Sequence, residues 1–444
     1  MNPSKLRASW HRALRQAFSL LPRTVRFAAY RSFVDCDPAP DPRLHLKIAE
    51  TRDELEACFG LLHDAYVASG FMKPHPSGLR VTLYHALPTT TTLCATFDGE
   101  VVGTLSLIRE SVMGFPLQSI FDLHSVREQG GMIAEVSALA VHPKFRKTGG
   151  SVLFPLMKFM HDYCTGFFDT RHLVIAVNPN RIELYESLLL FDRLPQNTVD
   201  NYDFANGAPA VGATLDLHHA AQKFRPIYTH KPLRRNLHHY FNELTLPNIE
   251  LPARRYHTTN DPVMTPALLD YFFNQRTQGF AELEDRKIHL LHAIYNLPAY
   301  RAVLPSLPEA TTRAHLLRSF QRFSVKCPCM LRLNPQAEQK SWQLKLVDVS
   351  ENGFQVMCDD PLPLFTWGQV EIELGQAERS SLQAQAVWHK HNAFGHFYAF
   401  EVGEPDLPWR RFVLALESGS TVNDLENASR FMEQQLTNVA GNLS

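Results

Sequence analysis

The sequence predicts a multidomain α+β protein, in which a mixed α/β domain is followed by a helical bridge and a C-terminal antiparallel β-barrel. Its 444 residues are enough for two or three hydrophobic cores. Strand and helix patterns alternate from residue 44 to residue 221, whereas the last third is dominated by short strands separated by turns. We therefore expect an N-terminal helix at 1–43, the α/β domain at 44–221, the bridge at 222–313, the barrel at 314–408 and a helical tail at 409–444.

The composition argues against several classes of protein. The formal net charge is −1, whereas binding along nucleic acid phosphates requires an excess of Lys and Arg, so we predict no nucleic acid partner. The seven cysteines include no CxxC pair and the histidines lack the spacing of a zinc site, so we predict no metal. The sequence has neither an apolar run of membrane-spanning length nor a secretory signal pattern, which predicts a cytoplasmic protein.

Residues 5–31 are predicted to form a basic amphipathic helix. They contain six arginines and no acidic residue, and apolar residues recur at helical spacing, namely Leu6, Trp10, Leu14, Phe18 and Leu21. Such a helix can lie on an anionic membrane surface, bind an acidic partner or pack on its own domain. Amphipathicity favours none of these, so peripheral contact with the inner face of the membrane stays an alternative.

The predicted elements of the α/β domain alternate along the chain. Three prolines at 38, 40 and 42 separate it from the first helix. The elements are a strand at 45–49, a helix at 54–68, a hairpin of 93–97 and 101–108 turned by Asp98-Gly99, a strand at 133–141, a helix at 150–163, a strand at 172–177, a helix at 181–190 and a strand at 213–217.

A glycine-containing loop follows the strand at 133–141. It reads Arg146-Lys147-Thr148-Gly149-Gly150-Ser151, and its N–H groups together with the next helix are suited to a pyrophosphate or pantetheine arm. An ordinary glycine-containing helix start is the alternative. The loop resembles the (Q/R)xxGx(G/A) motif of GNAT acyltransferases, with a serine as its last small residue. The resemblance implies that strands 133–141 and 172–177 part to admit an acyl thioester, and that the donor is bound by Val141, Arg146, Gly149, Gly150 and Ser151.

Two side chains are candidates for proton transfer. Glu135 lies in the strand beside the expected gap, where a carboxylate can accept a proton from an attacking ammonium group. A carboxylate paired with an arginine is the alternative for Glu135. The resemblance implies that Tyr185 protonates the departing thiolate, and a core aromatic is the alternative for this residue. The sequence departs from the family at Leu190, where glycine usually precedes the phenylalanine that ends this helix.

Five further segments carry a narrower resemblance. Residues 103–107, 114–117, 120–121, 134–141 and 206–210 read GTLSL, GFPL, IF, AEVSALAV and NGAPA. Over about 45–217 the chain resembles the FeeM-type N-acyl amino acid synthases, relatives of the acyl-homoserine lactone synthases. This implies transfer of a fatty acyl chain from acyl carrier protein, or from coenzyme A, to an amino acid, with no prosthetic group. Lys144, Arg146 and Lys147 form a basic rim suited to an acidic carrier protein, or an ordinary solvated face.

The remaining residues predict the bridge and the barrel. Residues 266–296 have helical spacing of apolar residues, which predicts a helical bridge. Six short strands then predict a small barrel, at 324–333, 343–348, 354–358, 369–374, 382–389 and 395–402.

Two motifs predict a ligand site on this barrel. Arg318 and Arg322 precede its first strand, and Asp348, Ser350 and Gly353 lie at the end of its second. Guanidinium groups bind phosphate oxygens or guanine O6 and N7, and a carboxylate accepts from guanine N–H groups. Solvated charges and an ordinary turn are the alternative. The motifs resemble RxxxR and (D/N)xSxxG of the PilZ family, which implies that these five residues bind cyclic di-GMP. Ala386-Val387-Trp388, followed by Gly395, also suits this barrel.

The sequence therefore predicts a cyclic di-GMP responsive N-acyltransferase. The alternatives are a non-catalytic cyclic di-GMP effector with a degenerate acyltransferase fold, and a synthase of the acyl-homoserine lactone type.

Overall fold

The chain folds into two compact units. The computed structural model describes residues 18, 20–146, 148–168, 170–196, 198–252, 254–258, 261, 263–295, 298–307, 323–333, 341–375, 378–392 and 395–418. The first unit comprises Met1–Arg80, Thr92–Glu110 and Gly114–Glu250, and the second comprises Val81–Thr91, Ser111–Met113 and Leu251–Ser444. The predicted helical segment before residue 18 and the predicted tail after residue 418 lie outside the described residues.

A mixed sheet of eight strands forms the framework of the first unit. Its strands are β1 (Leu44–Ile48), β2 (Thr90–Phe97), β3 (Glu100–Arg109), β4 (Met132–Val141), β5 (Thr170–Val177), β6 (Asp192–Arg193), β7 (Val199–Tyr202) and β8 (Ala208–Asp216). The order is β1-β2-β3-β4-β5-β8-β6, with β7 also paired to β8. Strands β4 and β5 run parallel, whereas β4 pairs with β3 and β5 pairs with β8 in antiparallel fashion. The predicted mixed α/β fold is confirmed.

Seven α-helices accompany this sheet among the described residues: α1 (Arg23–Ser32), α2 (Arg52–Ser69), α3 (His124–Arg127), α4 (Leu153–Gly166), α5 (Pro179–Leu184), α6 (Leu217–Tyr228) and α7 (Leu237–Asn242). Helix α2 illustrates how the sequence sets a boundary. Thr51 and Glu54 form a reciprocal capping box at its start, and Gly70 ends it with φ 75°.

Two predicted helices differ from the structure. The predicted helix over 5–31 is not continuous, because residues 20–22 are not helical and α1 begins only after Pro22. Proline has no N–H and fixes φ, so it is suited to a helix start rather than a helix interior. The helix predicted at 181–190 begins earlier as α5 and continues as a π-helical turn over Tyr185–Leu189.

The predicted hairpin is confirmed, and its turn has a local cause. Asp98 and Gly99, between β2 and β3, have φ values of 52° and 83°. Two consecutive positive φ values define the type I′ turn that matches the twist of paired strands, and an Asp-Gly pair favours it. The last predicted strand, at 213–217, is part of the longer β8, while β6 and β7 were not predicted.

The second unit contains short helices and a closed barrel. The helices are α8 (Pro266–Leu269), which continues as a π-helical turn over Asp270–Arg276, α9 (Asp285–Ile294), α10 (Pro298–Arg301) and α11 (Leu407–Ser418). The strands are β9 (Phe323–Arg332), β10 (Ser341–Ser350), β11 (Gly353–Cys358), β12 (Trp367–Glu373), β13 (Arg379–Asn392) and β14 (Gly395–Val402). They close in the order β10-β11-β14-β13-β12-β9 with antiparallel pairing. The predicted six-stranded antiparallel barrel is confirmed.

Helix α11 completes the hydrophobic core of the barrel. Trp409 and Phe412 on this helix are fully buried. The Trp409 ring packs edge-on against Phe354 with ring centroids 5.7 Å apart, and its Nε1–H donates to the carbonyl of Glu351 at 3.1 Å. The helix therefore acts as part of the barrel rather than as a separate tail.

We expect Trp409→Ala to destabilise the barrel by about 3–5 kcal/mol, because the substitution leaves a large cavity in its core. Urea unfolding followed by tryptophan fluorescence measures the effect, since the other tryptophans include Trp342, Trp367 and Trp388 of the barrel. Trp388→Ala is the control, because Trp388 is 47% exposed and its removal should cost far less. An equal loss of unfolding free energy in the two variants would contradict a structural role for α11.

Candidate functional site

The strands β4 and β5 part in the middle of the first sheet. Their parallel pairing extends only from Met132 to Glu135 of β4, and Glu135 is opposite Val174. Beyond this point β4 contains a bulge against β3, at which Ala138 adopts φ 53°. A bulge bends its strand and leaves an extra residue out of the ladder. The gap that the sequence resemblance implied between these strands is therefore present.

The gap opens into a cavity of about 1440 Å³ within the first unit. Its walls come from both parted strands and from the segments that follow them. They include Val136, Ser137, Ala138 and Leu139 of β4, Ile175, Ala176 and Val177 of β5, the aromatic residues Tyr66, Phe71, Tyr185, Phe191, Tyr202 and Phe204, and the methionines Met157 and Met160. The cavity is large enough for a long acyl chain together with a small acceptor.

Glu135 lies on the wall of this cavity and is only 2% exposed. Its Oε2 accepts a hydrogen bond from the Leu117 N–H at 3.0 Å. Among the described residues it forms no ion pair with an arginine, which was the alternative interpretation of this carboxylate. Burial raises the pKa of Glu135 to about 8, and the Leu117 N–H only partly opposes this shift. The carboxyl is therefore largely protonated at neutral pH and ionises a little above it.

Tyr185 is the first residue of the π-helical turn, and it lines the same cavity. Burial raises the pKa of Tyr185, and the charge of Arg181 partly opposes the shift. Its ring packs edge-on against Phe191, with the centroids 6.1 Å apart. Leu190 ends the turn with φ 58°, a conformation that glycine adopts at least cost. This is the position at which the family usually has glycine, so the departure places a leucine in a left-handed conformation.

Tyr66 is another titratable residue of this wall, and sequence reasoning missed it. The Arg80 guanidinium lies over the Tyr66 ring at 4.1 Å and donates to the Phe204 carbonyl at 2.7 Å. Burial raises the pKa of Tyr66, the Arg80 charge opposes the shift and the nearby Glu135 carboxylate adds to it. The sequence pattern predicted only that Tyr66 belongs to a helix, because its neighbours in the cavity are distant in sequence.

The predicted donor loop lies beside this cavity region but does not line it. Arg146 Nε donates to the carbonyl of Val141, the last residue of β4, at 2.7 Å. Gly149 and Gly150 have φ values of 67° and 92°, and helix α4 begins only after Ser151 and Val152. These five predicted donor residues are absent from the cavity lining, among the residues that the structure describes. Lys147, predicted as part of a basic rim, lies outside those residues.

Helix α1 contributes to the cavity wall, which sequence reasoning did not predict. Arg26 pairs with Glu183 at 2.5 Å, and Arg23 pairs with Glu186 at 2.8 Å. The side chains of Phe18, Arg26 and Tyr30 line the cavity. In its described part, the basic N-terminal segment thus packs on its own unit, one of the three alternatives that amphipathicity left open.

Three of the predicted ligand-binding residues of the barrel lie together where β10 turns into β11. Ser350 is opposite Gly353, and Ser350 Oγ donates to the Gly353 carbonyl at 3.0 Å. A Cβ on Gly353 would lie 2.6 Å from the Phe400 carbonyl oxygen, so this close backbone approach requires glycine. Asp348 follows a bulge in β10 and is opposite Ser324 at the start of β9.

The other two predicted ligand-binding residues, Arg318 and Arg322, lie outside the described residues. The next residue in the sequence after Arg322 is Phe323, which pairs with Val349 between Asp348 and Ser350. The first motif therefore leads directly into the strand beside the second.

The barrel contains a close pair of histidines. His389 Nε2 lies 2.9 Å from His396 Nδ1 on the barrel surface. Even so, the described parts of the chain contain no group of three or more His, Cys, Asp and Glu residues arranged to hold a metal ion. Across those same parts, every helix is too short or too polar to traverse a bilayer.

A mixed sheet that opens between its two parallel strands has the architecture of GNAT acyltransferases, and a closed six-stranded antiparallel barrel in the same chain has that of PilZ domains. Comparison with protein families makes this more specific. Residues 57–216 match the model of N-acyl amino acid synthase FeeM, and residues 316–406 match that of the PilZ domain. The chain thus combines a FeeM-type acyltransferase domain with a PilZ domain. No curated protein matches the chain.

Several solved structures are similar to the first unit. One is FeeM, an N-acyl amino acid synthase from uncultured soil microbes, with 23% identity over 41% of this chain and 95% of that one, and a TM-score of 0.35. Another is BjaI, a CoA-dependent acyl-homoserine lactone synthase, with 19% identity, coverages of 47% and 92%, and a TM-score of 0.33. A GNAT acetyltransferase from Streptococcus pneumoniae has 12% identity, coverages of 39% and 98%, and a TM-score of 0.29.

Proposed function

We propose that this protein transfers a fatty acyl chain from a thioester to the amino group of an amino acid, under the control of cyclic di-GMP. The donor is an acyl carrier protein or a coenzyme A thioester. The observation that carries the proposal is the buried Glu135 on the wall of the gap between β4 and β5, in a domain that matches FeeM. Acyl transfer in general follows from the FeeM-type domain, and the identities of donor and acceptor are our proposal.

The chemistry needs three contributions from the cavity. The amine attacks the thioester carbonyl, so that a C–N bond forms and the C–S bond breaks. Backbone N–H groups on the side of β4 that has parted from β5 polarise the carbonyl oxygen. Glu135 accepts the proton that the amine loses, and Tyr185 donates a proton to the departing thiolate. Burial raises the pKa of Glu135 to about 8, so its carboxylate is a stronger base than that of an ordinary glutamate, which favours this proton transfer.

The apolar part of the cavity suits a fatty chain. Met157, Met160, Leu189 and Phe191 line both the main cavity and a smaller apolar void of about 40 Å³ behind it. Methionine side chains adapt to irregular shapes, so the boundary between the two spaces can yield to a long chain. This arrangement supports a long acyl group rather than acetyl as the transferred group.

We expect Glu135→Gln to lower kcat by about 10²- to 10⁴-fold, the usual contribution of a general base. The wild-type rate should rise with pH through about 8, because only the ionised Glu135 carboxylate accepts a proton. Tyr185→Phe should also lower kcat, because the departing thiolate loses its proton donor. The measurement is mass spectrometry of N-acyl amino acids formed from a fatty acyl thioester and the twenty common amino acids. Glu100→Gln, an exposed residue of β3, is the control.

Lipid extracts of cells that express the chain separate the competing functions. An N-acyl amino acid supports the proposal, whereas an acyl-homoserine lactone would identify a signal synthase. Absence of any acylated product from the wild type would favour a non-catalytic effector.

The proposed cyclic di-GMP site consists of Arg318, Arg322, Asp348, Ser350 and Gly353. We expect micromolar or tighter binding by the full chain in isothermal titration, and at least about a tenfold loss of affinity in Arg318→Ala, because a charge-assisted contact to phosphate is lost. Arg332→Ala is the control, since Arg332 lies at the opposite end of β9 and pairs with Glu371 at 2.9 Å. Absence of heat with the wild type, or equal heat from all three proteins, would refute this site.

Hydrogen bonds within the second unit suggest how the ligand could act. The segment 254–258 contacts both β9 and the end of β12, because Lys326 N–H donates to His257 O and His257 N–H donates to Leu374 O, each at 2.9 Å. The neighbouring Asp261 accepts from Arg254 and from Thr91. Thr91 ends the segment Val81–Thr91, which directly follows Arg80 in sequence. A shift of β9 would therefore reach the segment that directly follows Arg80, whose guanidinium lies over the ring of the cavity residue Tyr66.

We expect saturating cyclic di-GMP to change kcat or KM of the full chain by about fivefold or more, the usual lower range of coupling between two sites. Arg255→Ala removes the ion pair with Glu378 that holds the segment 254–258, so it should reduce this effect while ligand binding persists. The measurements are turnover with and without ligand and titration of each protein. Identical turnover in both conditions would mean that the two domains are only tethered.

A further inference from the structure

The charged residues that line the main cavity are not all paired. The lining contains three arginines, Arg26, Arg181 and Arg193. Arg26 pairs with Glu183 at 2.5 Å, and Arg193 pairs with Glu186 at 2.9 Å. Arg181, by contrast, makes no side-chain hydrogen bond and no ion pair with any described residue, and its side chain is exposed. Among the described residues of this lining, it is thus the cation that protein carboxylates leave available.

The charge of the lining is positive as a result. Its acidic members, among the residues that the structure describes, are Glu183, already paired with Arg26, and Glu135, which burial keeps largely protonated at neutral pH. An exposed guanidinium beside an otherwise neutralised wall attracts an anion, and its planar fork fits two oxygens of a carboxylate or a phosphate.

Arg181 lies close in sequence to Tyr185, the residue that we assign as proton donor to the leaving thiolate. Arg181 lies four residues before Tyr185 on the helix that follows β5, a spacing that places two side chains on one face. Its charge acts on Tyr185, whose pKa it lowers against the effect of burial. An anion held by Arg181 would therefore lie within reach of the group that we assign to the leaving thiolate.

We infer that Arg181 binds an anionic oxygen group of a substrate and so positions that substrate in the cavity. The inference rests on the proposed function, in which both substrates carry such a group. The acceptor amino acid has an α-carboxylate, and the donor arm has a phosphate. Neither the family matches nor the sequence motifs assign a role to Arg181. The inference deepens the proposed reaction, because it names a residue that selects charged substrates.

The test is steady-state kinetics of the full chain with Arg181→Ala and Arg181→Lys. The donor is hexadecanoyl coenzyme A, and the acceptor is the amino acid that gives most product in the twenty-member panel. We expect Arg181→Ala to raise KM for one substrate by about 10- to 100-fold, the usual loss for a hydrogen bond to a charged group, and Arg181→Lys to retain part of the affinity. Arg52→Ala, on the exposed start of α2, is the matched control.

Two substrate changes identify the anion. If Arg181 binds the carboxylate, replacing the amino acid by its amide abolishes the difference between the wild type and Arg181→Ala. If it binds the phosphate, replacing coenzyme A by N-acetylcysteamine, whose thioester lacks phosphate, abolishes the difference instead. Thermal unfolding should be unchanged, because the Arg181 side chain is exposed and forms no hydrogen bond or ion pair with the described residues.

The outcomes separate this inference from the proposed function. If the wild type is active and Arg181→Ala has the same KM values as the wild type for both substrates, the role of Arg181 is overturned. The acyltransfer proposal is then left intact. A KM change that persists with both the amide and the phosphate-free donor would also overturn it, because no substrate anion would then account for the effect. Inactive wild type with every donor and acceptor would refute the proposed function, and this inference with it.

Discussion

The parting of β4 from β5 after Glu135 is the constraint on which the candidate active site depends. A continuous parallel ladder would use the backbone groups of both strands and leave no space between them. The bulge at Ala138 bends β4 away from that ladder, so that backbone groups on one side of the strand face a cavity instead of a neighbour. The same change exposes the side chains of Val136 to Leu139 to that cavity. One local irregularity thus creates both the space and its polar lining.

Glu135 shows how the fold accommodates a carboxyl at this point. Burying an ionised carboxylate without a counter-charge is costly, and the group responds by binding a proton, which is why burial raises its pKa to about 8. Between pH 4.5 and this value the folded protein holds a proton that the unfolded chain has lost, so this residue makes the fold less stable as the pH rises. The surrounding packing must offset that cost. Perturbed carboxyls of this kind are frequent at sites where protons are transferred, although ion-pair networks perturb them too.

The sequence predicted the elements well and the site only in part. Periodicity identified the central strands β4 and β5 and the six barrel strands, because these depend on local alternation of apolar residues. It missed β6 and β7, which are short and lie on the far side of β8. Tyr66 and Arg181 went unnoticed as cavity residues, since their roles depend on neighbours far away in sequence. Arg318 and Arg322 were recognised from their spacing, and their role in binding cyclic di-GMP together with Asp348 stays a prediction.

Helix α1 has a practical consequence for work on this enzyme. The segment that matches FeeM begins at residue 57, yet Phe18, Arg26 and Tyr30 close part of the cavity through contacts that include the pairing of Arg26 with Glu183. A recombinant fragment cut to the family boundary would have a cavity open on that side and an uncompensated Glu183. Expression designs that keep Phe18 and helix α1 preserve this wall of the substrate chamber.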